Sequence, residues 1–437
     1  MKKYALVGTG GRAWMYIAAL FGDHRKDGEL VAICDINQTR MNYANERIGE
    51  EFGAPPVPTY GANEFDAMIR KQKPDSVIVT SMDRTHHQYI CRAMELGCDA
   101  VTEKPMTIDE EKAQQIVDTI EKTGKDLKVT FNYRYAPRNT KVKEILAGGQ
   151  IGEIISVHFE WLLDTKHGAD YFRRWHRDKA NSGGLMVHKA THHFDLINWW
   201  LDSRPKTVFA FGGLRFYGRQ NAERRGVTQF YDRAYGSEVA ERDPFALHLD
   251  RDERLKRMYL DAEHEDGYHR DQSVFGYNIS TEDTMSVLVK YANHVNMSYS
   301  LNAFCPWEGL RVMLNGSQGR LEVNVVERSY VSSSVDDINL PENRAKEEAP
   351  DKLVEVPEIV IHKHWDKPRA IEFEDAKGGH GGGDVRLLKD IFEGAGHDPL
   401  HHAAGYVDGA YSILTGIAAN KSMASGLPIE IDDLIRL

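Results

Sequence analysis

The sequence lacks several features that would place it in other classes of protein. Its 437 residues include only four cysteines, and none of them forms a C-x-x-C pair, so neither a disulfide framework nor a cysteine-based zinc site is indicated. No apolar run approaches the roughly 18 residues of a membrane span, and no apolar signal segment precedes the first predicted strand. The net charge of −11 argues against a nucleic-acid partner. We therefore expect a cytoplasmic protein with reduced thiols that binds neither membrane nor nucleic acid.

The first 35 residues carry the pattern of a dinucleotide-binding unit. Residues 4–7 form an apolar run long enough for a buried strand, and Gly8, Gly10 and Ala13 then follow the G-x-G-x-x-G/A pattern. The glycines allow a tight turn and a close approach of a pyrophosphate to the backbone, and Ala13 lets the following helix pack closely. Asp35 ends the next apolar run, 22 residues after Ala13. A carboxylate there bonds the ribose hydroxyls and repels a 2′-phosphate, so the pattern predicts NAD as the cofactor.

The distribution of apolar runs predicts two domains. With 41% apolar and 28% charged residues, the composition is that of an ordinary globular protein. Over residues 1–133, short apolar runs alternate with helical patterns, which predicts an α/β domain with a doubly wound parallel sheet. Residues 134–437 predict an α+β domain with an open, largely antiparallel sheet, interrupted by polar insertions near 217–272 and 327–376. Ligands of doubly wound sheets bind beyond the carboxyl ends of the strands, so residues that follow strands are candidates for the site.

Three segments that follow predicted strands are expected around the nicotinamide end of a bound cofactor. Their polar residues are Asp83, His86, Glu103, Lys104, Asn132 and Arg134. Lys104 precedes a proline at a strand end, where desolvation would lower its pKa toward neutral pH and let it polarise or protonate a substrate oxygen. The alternative is that Lys104 pairs with Glu103 on the surface.

A second cluster falls in a helical pattern over residues 185–201. On one helix, His188, His192, Asp195 and Trp199 form a stripe at i, i+4, i+7 and i+11. Two histidines in such a stripe suit acid–base chemistry near neutral pH. Histidines four residues apart also suit zinc, but no glutamate of the zincin pattern and no third ligand accompany them, so no metal is expected. A purely structural role beneath the sheet is the remaining alternative.

Two further segments are ambiguous. The run over residues 171–179 is either a solvated loop or a binding site for an anionic group of the substrate. In the second case the candidate substrate-binding residues are Arg173, Arg174, Trp175 and His176. A glycine-rich segment around His380 is either a flexible turn capped by Asp384 or a wall of the site.

In chain order, these segments together resemble the glucose–fructose oxidoreductase, inositol dehydrogenase and rhizopine catabolism (Gfo/Idh/MocA) family. The matching residues are Gly8, Gly10, Ala13, Asp35, Asp83, His86, Glu103, Lys104, Pro105, His192 and Asp195. The resemblance implies a Rossmann domain followed by a domain whose open sheet supports a homodimer or homotetramer. It also implies hydride transfer between a nicotinamide and a carbon of a sugar or cyclitol, with Lys104 and His192 acting on the reacting hydroxyl.

The sequence departs from the family pattern at His188. Most dehydrogenases of the family carry an aspartate at this position, which works with the histidine as a proton relay, and here Lys189 follows. One hypothesis is a sugar or polyol dehydrogenase. The other is an NAD-dependent glycoside hydrolase, a branch of the family that oxidises C3, eliminates the aglycone, adds water and returns the hydride. Its additional acid–base candidates are His188, Lys189, His192, His193, Tyr231 and Tyr268, and the basic run would suit a uronic or sulfonated glycoside. A non-catalytic sugar sensor would be favoured only without Lys104 or His192, and both are present.

The expected site therefore has three groups of residues. The catalytic group is Lys104, His188, Lys189 and His192. The cofactor group is Gly8, Gly10, Gly11, Arg12, Ala13, Asp35, Asp83, His86, Glu103 and Lys104. The substrate group is Asn132, Arg134, Arg173, Arg174, Trp175, His176, His193, Asp195 and His380.

Overall fold

A parallel six-stranded sheet forms the N-terminal part of the chain. The computed structural model describes residues 1–332, 357–374 and 379–437, with the backbone alone at 379 and 380. The strands are β1 Lys2–Val7, β2 Gly28–Asp35, β3 Thr59–Gly61, β4 Ser76–Val79, β5 Asp99–Thr102 and β6 Leu127–Val129, in the order β3-β2-β1-β4-β5-β6. The helices are α1 Ala13–Phe21, α2 Gln38–Phe52, α3 Phe65–Gln72, α4 His86–Glu95 and α5 Glu110–Thr123. The predicted doubly wound α/β domain is confirmed.

Both faces of this sheet are buried, which explains why its strands are continuous apolar runs. Along β1, Ala5 and Val7 face one apolar cluster, and Tyr4 and Leu6 face another. The chain then turns at Gly8, which has a φ of 93° and would place a Cβ 2.6 Å from the backbone of Ser81. Only glycine fits this turn. The three-residue β3 was not predicted, because it is too short to give an apolar run.

A nine-stranded sheet organises the rest of the chain. Its strands are β7 Ile154–Asp164, β8 Pro205–Gly213, β9 Thr284–Tyr291, β10 Asn296–Cys305, β11 Glu308–Gly316, β12 Gly319–Arg328, β13 Ile359–Lys363, β14 Arg369–Ala370 and β15 Ile429–Glu430. They lie in the order β14-β13-β12-β11-β7-β10-β9-β8-β15, and all pairs are antiparallel except β7 with β10. The predicted α+β domain with a largely antiparallel sheet is confirmed.

Ten helices lie in the described part of this region. They are α6 Pro137–Ala147, α7 His167–Arg173, α8 Lys179–Ser182, α9 Leu185–His188, α10 Thr191–Leu201, α11 Arg219–Arg224, α12 Glu253–Leu255, α13 Glu263–Asp266, α14 Gly383–Glu393 and α15 Tyr406–Ser425. Helix α14 returns to the first sheet, where its Leu387, Ile391 and Phe392 join the apolar cluster that contains Tyr4. Across the described ranges, no helix has the length and apolarity needed to cross a membrane. The four cysteines are free thiols.

The prediction of one helix over residues 185–201 is wrong. The chain breaks between α9 and α10 at Lys189 and Ala190, where the Ala190 amide donates to the Leu185 carbonyl five residues earlier (2.9 Å). The His193 amide then donates to the Ala190 carbonyl three residues earlier (2.9 Å). Because these tight and wide turns replace the regular helical spacing, His188 and His192 do not belong to one stripe.

The first polar insertion is folded partly onto the rest of the protein, although many of its residues are exposed. Part of it, residues 253–267, reaches back onto the first domain and contacts α2; we call it the inserted segment. It contains α12, α13 and a π-helical turn at Lys256–Leu260. Of the second insertion, residues 333–356 and 375–376 lie outside the described residues, and the described parts include β13 and β14.

Candidate active site

The loop after β1 and the end of β2 form a cradle that fits a dinucleotide. The Thr9 amide and hydroxyl donate to one oxygen of Asp35 (2.5 and 2.6 Å), and the Asn37 amide donates to the other (2.9 Å). A Cβ on Gly10 would meet no atom within 4 Å, so open space lies above this loop where a pyrophosphate is expected. A Cβ on Gly11 would lie 3.4 Å from the Tyr259 hydroxyl, which brings the inserted segment to the same loop.

Arg12 and Glu103 connect this loop to the strand ends beside it. Arg12 donates to Glu103 (2.7 Å) and forms an ion pair with Asp384 of α14 (3.1 Å). The Tyr16 hydroxyl donates to Glu103 (2.6 Å), and the side-chain amide of Asn132 donates to Asp384 (2.6 Å). Burial alone would raise the pKa of Glu103, but Arg12, Tyr16 and Lys104 together outweigh burial and hold it below its usual value. Glu103 is thus a buried anion that binds Arg12 and Tyr16, which disfavours a surface pair with Lys104.

A lysine, a histidine and an aspartate meet beyond β4 and β5. The Nδ1 atom of His188 lies 2.5 Å from a carboxylate oxygen of Asp83, and Lys104 Nζ donates to the His188 carbonyl (3.3 Å). Burial lowers the pKa of Lys104 to about 8, against the opposing influence of Asp83. Burial also raises the pKa of Asp83 and lowers that of His188. Burial therefore shifts all three groups toward their neutral forms, and such perturbed groups are typical of functional sites.

His86 holds the two loops of this cluster together. One ring nitrogen lies 2.8 Å from the Pro105 carbonyl and the other 2.9 Å from the Ser81 carbonyl. Burial lowers the pKa of His86. Its position indicates that it orients the loops carrying Asp83 and Lys104, whereas a direct cofactor contact remains a prediction.

His176 extends the cluster. Its ring lies 4.1 Å from that of His188 and stacks on Trp175 at 3.5 Å, measured between centroids. Ligand atoms of Asp83, His176 and His188 lie within 4.8 Å of one another, and His176 Nδ1 has no hydrogen-bond partner among the described residues. This donor set suits a zinc-like cation. The positive charges of Lys104 and Arg174, both of which act on Asp83 and His176, oppose such binding.

Aromatic rings surround His192 and Lys189. His192 stacks on Tyr133 with 4.5 Å between centroids, and Lys189 Nζ lies 4.8 Å from the ring centre of Trp161. His193 stacks on the same indole at 4.1 Å and pairs through Nδ1 with the Tyr299 hydroxyl (2.7 Å). Since β7 and β10 carry these two aromatic residues, His193 packs against the sheet, and burial lowers its pKa. Its geometry favours a structural role over substrate contact.

Arg134 and Asp195, both predicted to bind substrate, bind each other. Two parallel hydrogen bonds of 2.8 and 2.6 Å join them, and only 2% and 1% of their side chains is exposed. Arg134 also pairs with Asp408 of α15 (2.9 Å). Burial raises the pKa of Asp195 to about 6 despite the facing guanidinium. This pair joins three parts of the fold, so its geometry favours a structural role.

Three arginines converge on Asp170. Arg174 and Arg270 lie 3.0 and 2.7 Å from its carboxylate, and Arg173 lies at 3.8 Å. Burial would raise the pKa of Asp170, but the arginines outweigh burial and hold it well below its usual value. Three positive charges against one negative charge leave an excess of positive charge, and we call these four residues the arginine cluster. Within the described residues, Nε and Nη1 of the buried Arg270 have no hydrogen-bond acceptor.

The sequence predicted only some of the residues of this cluster. Arg173 and Arg174 were predicted as substrate residues, but Arg173 is buried and donates to the Lys166 carbonyl (3.1 Å), which leaves Arg174 as the more accessible of the two. Asp170 was missed, although its i, i+4 spacing to Arg174 is a recognisable signal. Arg270 lies 100 residues further along the chain than Asp170, and no local pattern joins them. The side chain of His380 lies outside the described residues.

Comparison with known proteins assigns the chain to a family. The profile described as "Oxidoreductase family, NAD-binding Rossmann fold" matches residues 2–131, and that described as "Oxidoreductase family, C-terminal alpha/beta domain" matches residues 143–431. The chain belongs to the Gfo/Idh/MocA oxidoreductase family. The family resemblance predicted from the sequence is confirmed, and the match to an NAD-binding Rossmann fold confirms NAD as the cofactor.

Several known proteins match over nearly the full chain. YteT of Bacillus subtilis (strain 168), named as an oxidoreductase, is 34% identical over 449 residues, which cover 100% of this chain and 99% of YteT. Glycosyl hydrolase family 109 protein 2 of Akkermansia muciniphila is 23% identical, with 99% of this chain and 83% of that protein covered. The WlbA dehydrogenase from Bordetella pertussis, solved with NADH and UDP-GlcNAcA, gives a TM-score of 0.61 at 17% identity over 98% of each chain. That structural likeness shows the shared fold.

Proposed function

We propose that this Gfo/Idh/MocA protein oxidises a hydroxyl-bearing carbon of a sugar or cyclitol derivative, with Lys104 accepting the hydroxyl proton. The observation that carries the proposal is the lowered pKa of Lys104, about 8, beside the Asp83–His188 pair. Gly8, Gly10 and Asp35 would hold NAD, which when bound would supply the hydride acceptor for the same carbon. A neutral Lys104 amine is available at working pH. It can accept the hydroxyl proton and then pass that proton toward Asp83 and His188.

Asp83 pairs with the unusual residue at position 188. Most family members carry an aspartate there, whereas this chain brings Asp83 from the first domain to within 2.5 Å of His188 Nδ1. The carboxylate fixes the orientation of the imidazole, so the pair can share a proton. His192, stacked on Tyr133, is then assigned to orienting the reacting hydroxyl.

The alternative assignment makes His192 the proton acceptor and Lys104 an electrostatic stabiliser of the alkoxide. The two assignments predict opposite pH dependences. A base must be neutral, so kcat/KM would rise through about pH 8 and reach a plateau. A stabilising ammonium must be charged, so kcat/KM would fall above about pH 8. The pH profiles of wild type, Lys104→Met and His192→Asn separate them, since the pKa near 8 belongs to Lys104 in both cases.

We further propose that the substrate carries an anionic group, a carboxylate or sulfonate, held by Arg174 and Arg270. The excess positive charge around Asp170 and the unpaired nitrogens of Arg270 support this. Arg174 also acts electrostatically on Lys104, which indicates that the arginine cluster lies near the reacting centre. A panel of neutral sugars and their matching uronic acids tests the proposal: wild type is expected to prefer the acids, and Arg174→Gln to lose the preference chiefly through KM.

A redox-neutral glycosidase is the second candidate, supported by the full-length likeness to a family 109 glycosyl hydrolase. The ionisable groups His176, His188 and Lys189, which lie near Lys104 or near one another, would supply its acid–base steps. Tyr231 is a weaker candidate, because burial raises its pKa and its hydroxyl donates to Asp243 (2.7 Å). Burial also raises the pKa of Tyr268.

One experiment separates the two candidates. The purified protein is denatured to quantify released NAD(H), and the native protein is assayed on free sugars and aryl glycosides for both NADH and aglycone. Retained cofactor with aglycone release and no net NADH supports the glycosidase. Stoichiometric NADH from a free sugar supports the dehydrogenase. A protein that produces neither with bound NAD contradicts both.

The exposed face of the nine-stranded sheet supports self-association, which we propose as its role. Large apolar side chains that are 58–67% exposed lie on four of its strands: Ile155, Phe211, Leu288 and Val326. Exposed apolar patches of this kind mark interfaces. A second copy of the chain, forming a dimer or tetramer, is the expected occupant.

A further inference from the structure

The inserted segment lies against the part of the first domain that recognises the adenine ribose. The Asn37 side chain, two residues after Asp35, donates to the Ala262 carbonyl (2.8 Å). Arg257 pairs with Glu46 on α2. These contacts bring the second domain to the turn between β2 and α2. A phosphate on the ribose 2′-hydroxyl would have to lie at this turn, because Asp35 faces that hydroxyl.

Glu265 occupies the N-terminus of α2. Its carboxylate accepts hydrogen bonds from the Gln38 amide (2.5 Å), the Thr39 amide (2.8 Å) and the Thr39 hydroxyl (2.5 Å). Free amides at a helix N-terminus, together with the positive end of the helix dipole, form a ready anion site. In this chain a protein carboxylate from the other domain already fills that site.

The adjacent arginine is also engaged. Arg40, in the first turn of α2, forms an ion pair with Asp266, and 9% and 7% of their side chains is exposed. An arginine near the end of the second strand is the usual partner of a 2′-phosphate in NADP-binding domains. Asp266 therefore neutralises the second feature that would attract such a phosphate.

We propose that Glu265 and Asp266 are specificity-determining residues that exclude NADP, and that they act from the second domain. Asp35 disfavours the 2′-phosphate from one side. Glu265 fills the amide site that the phosphate needs, and Asp266 holds the arginine that would bind it. Three carboxylates at one turn therefore enforce the choice of NAD, although only Asp35 belongs to the dinucleotide-binding motif.

Calorimetric binding of NAD⁺ and NADP⁺ to the full-length protein tests the proposal without any substrate. Glu265→Gln removes the charge and keeps the size, and Glu265→Ala also opens the amide site. We define the preference for NAD⁺ as the Kd for NADP⁺ divided by the Kd for NAD⁺. We expect Glu265→Gln to reduce this preference about tenfold, because NADP⁺ binds more tightly once the charge is gone. Glu265→Ala should reduce the preference for NAD⁺ further. Glu265→Ala/Asp266→Ala, which also frees Arg40, should reduce it most.

Glu263→Gln is the matched control. Glu263 lies on α13 beside Glu265 but pairs with Arg233 (2.9 Å), so its variant should leave the ratio unchanged. If Glu265→Gln raised the Kd values for NAD⁺ and NADP⁺ equally, Glu265 would only hold the inserted segment in place. That result would overturn the proposal. An unchanged ratio in Glu265→Gln and Glu265→Ala would overturn it as well. A shift of the same size in Glu263→Gln would also contradict it.

Discussion

Burial should make Lys104 an unusually reactive amine near neutral pH. With a pKa of about 8, roughly one Lys104 in ten is neutral at pH 7, whereas an ordinary lysine at 10.5 would be neutral about once in 3,000. The neutral fraction is therefore about 300-fold higher than in an unperturbed lysine. Competitive acetylation read by mass spectrometry on the Lys104 peptide measures this directly, with the denatured protein as the reference, and it requires no substrate.

The charges around Lys104 predict the direction in which two variants move its titration. Asp83 raises the pKa of Lys104 and Arg174 lowers it, although burial is the largest influence. Asp83→Asn preserves an acceptor for His188 but removes the charge, so the acetylation midpoint should fall by about one pH unit. Arg174→Gln removes a like charge, so the midpoint should rise. A wild-type midpoint near 10, or shifts of the same sign in both variants, would refute this account of the site.

Three further predictions concern the rest of the molecule. Asp195→Asn should lower the free energy of unfolding, measured in urea, by about 3 kcal/mol, because it breaks a buried ion pair with Arg134. A variant that keeps its stability but loses activity would show instead that Asp195 acts on the substrate. Treatment with a chelator, checked by elemental analysis, should leave NAD binding and turnover unchanged, since positive charges face the cluster at His176; metal that copurifies at one equivalent would contradict this. Phe211→Lys on the exposed sheet face should reduce the mass measured by light scattering to that of a monomer; an unchanged mass would place the interface elsewhere.

Local patterns predicted the first domain well because its function and its packing depend on neighbouring residues. The strand, glycine loop and Asp35 follow one another within 35 residues, and the structure places them in the expected order. Glu103 and Lys104 lie at the end of β5, as the strand pattern indicated. The sequence did not show that Glu103 binds Arg12 and Tyr16, because both contacts depend on the fold of the sheet.

The remaining errors have two physical causes. The helix break at Lys189 and Ala190 leaves the apolar and polar periodicity intact, so a single stripe of histidines was predicted where two helices occur. The other cause is long-range pairing. Arg270 with Asp170, and Glu265 with α2, join positions separated by 100 and more than 200 residues, and no periodicity connects such partners.

The return of α14 to the first sheet has a consequence for protein synthesis. The last strand of that sheet ends at Val129, but the helix that covers Tyr4 begins only at Gly383. During synthesis, the apolar surface around Tyr4 therefore leaves the ribosome long before α14, because the whole second sheet is made in between. The two domains must mature together, and a fragment that stops at the end of the first domain would expose this surface to chaperones and to aggregation.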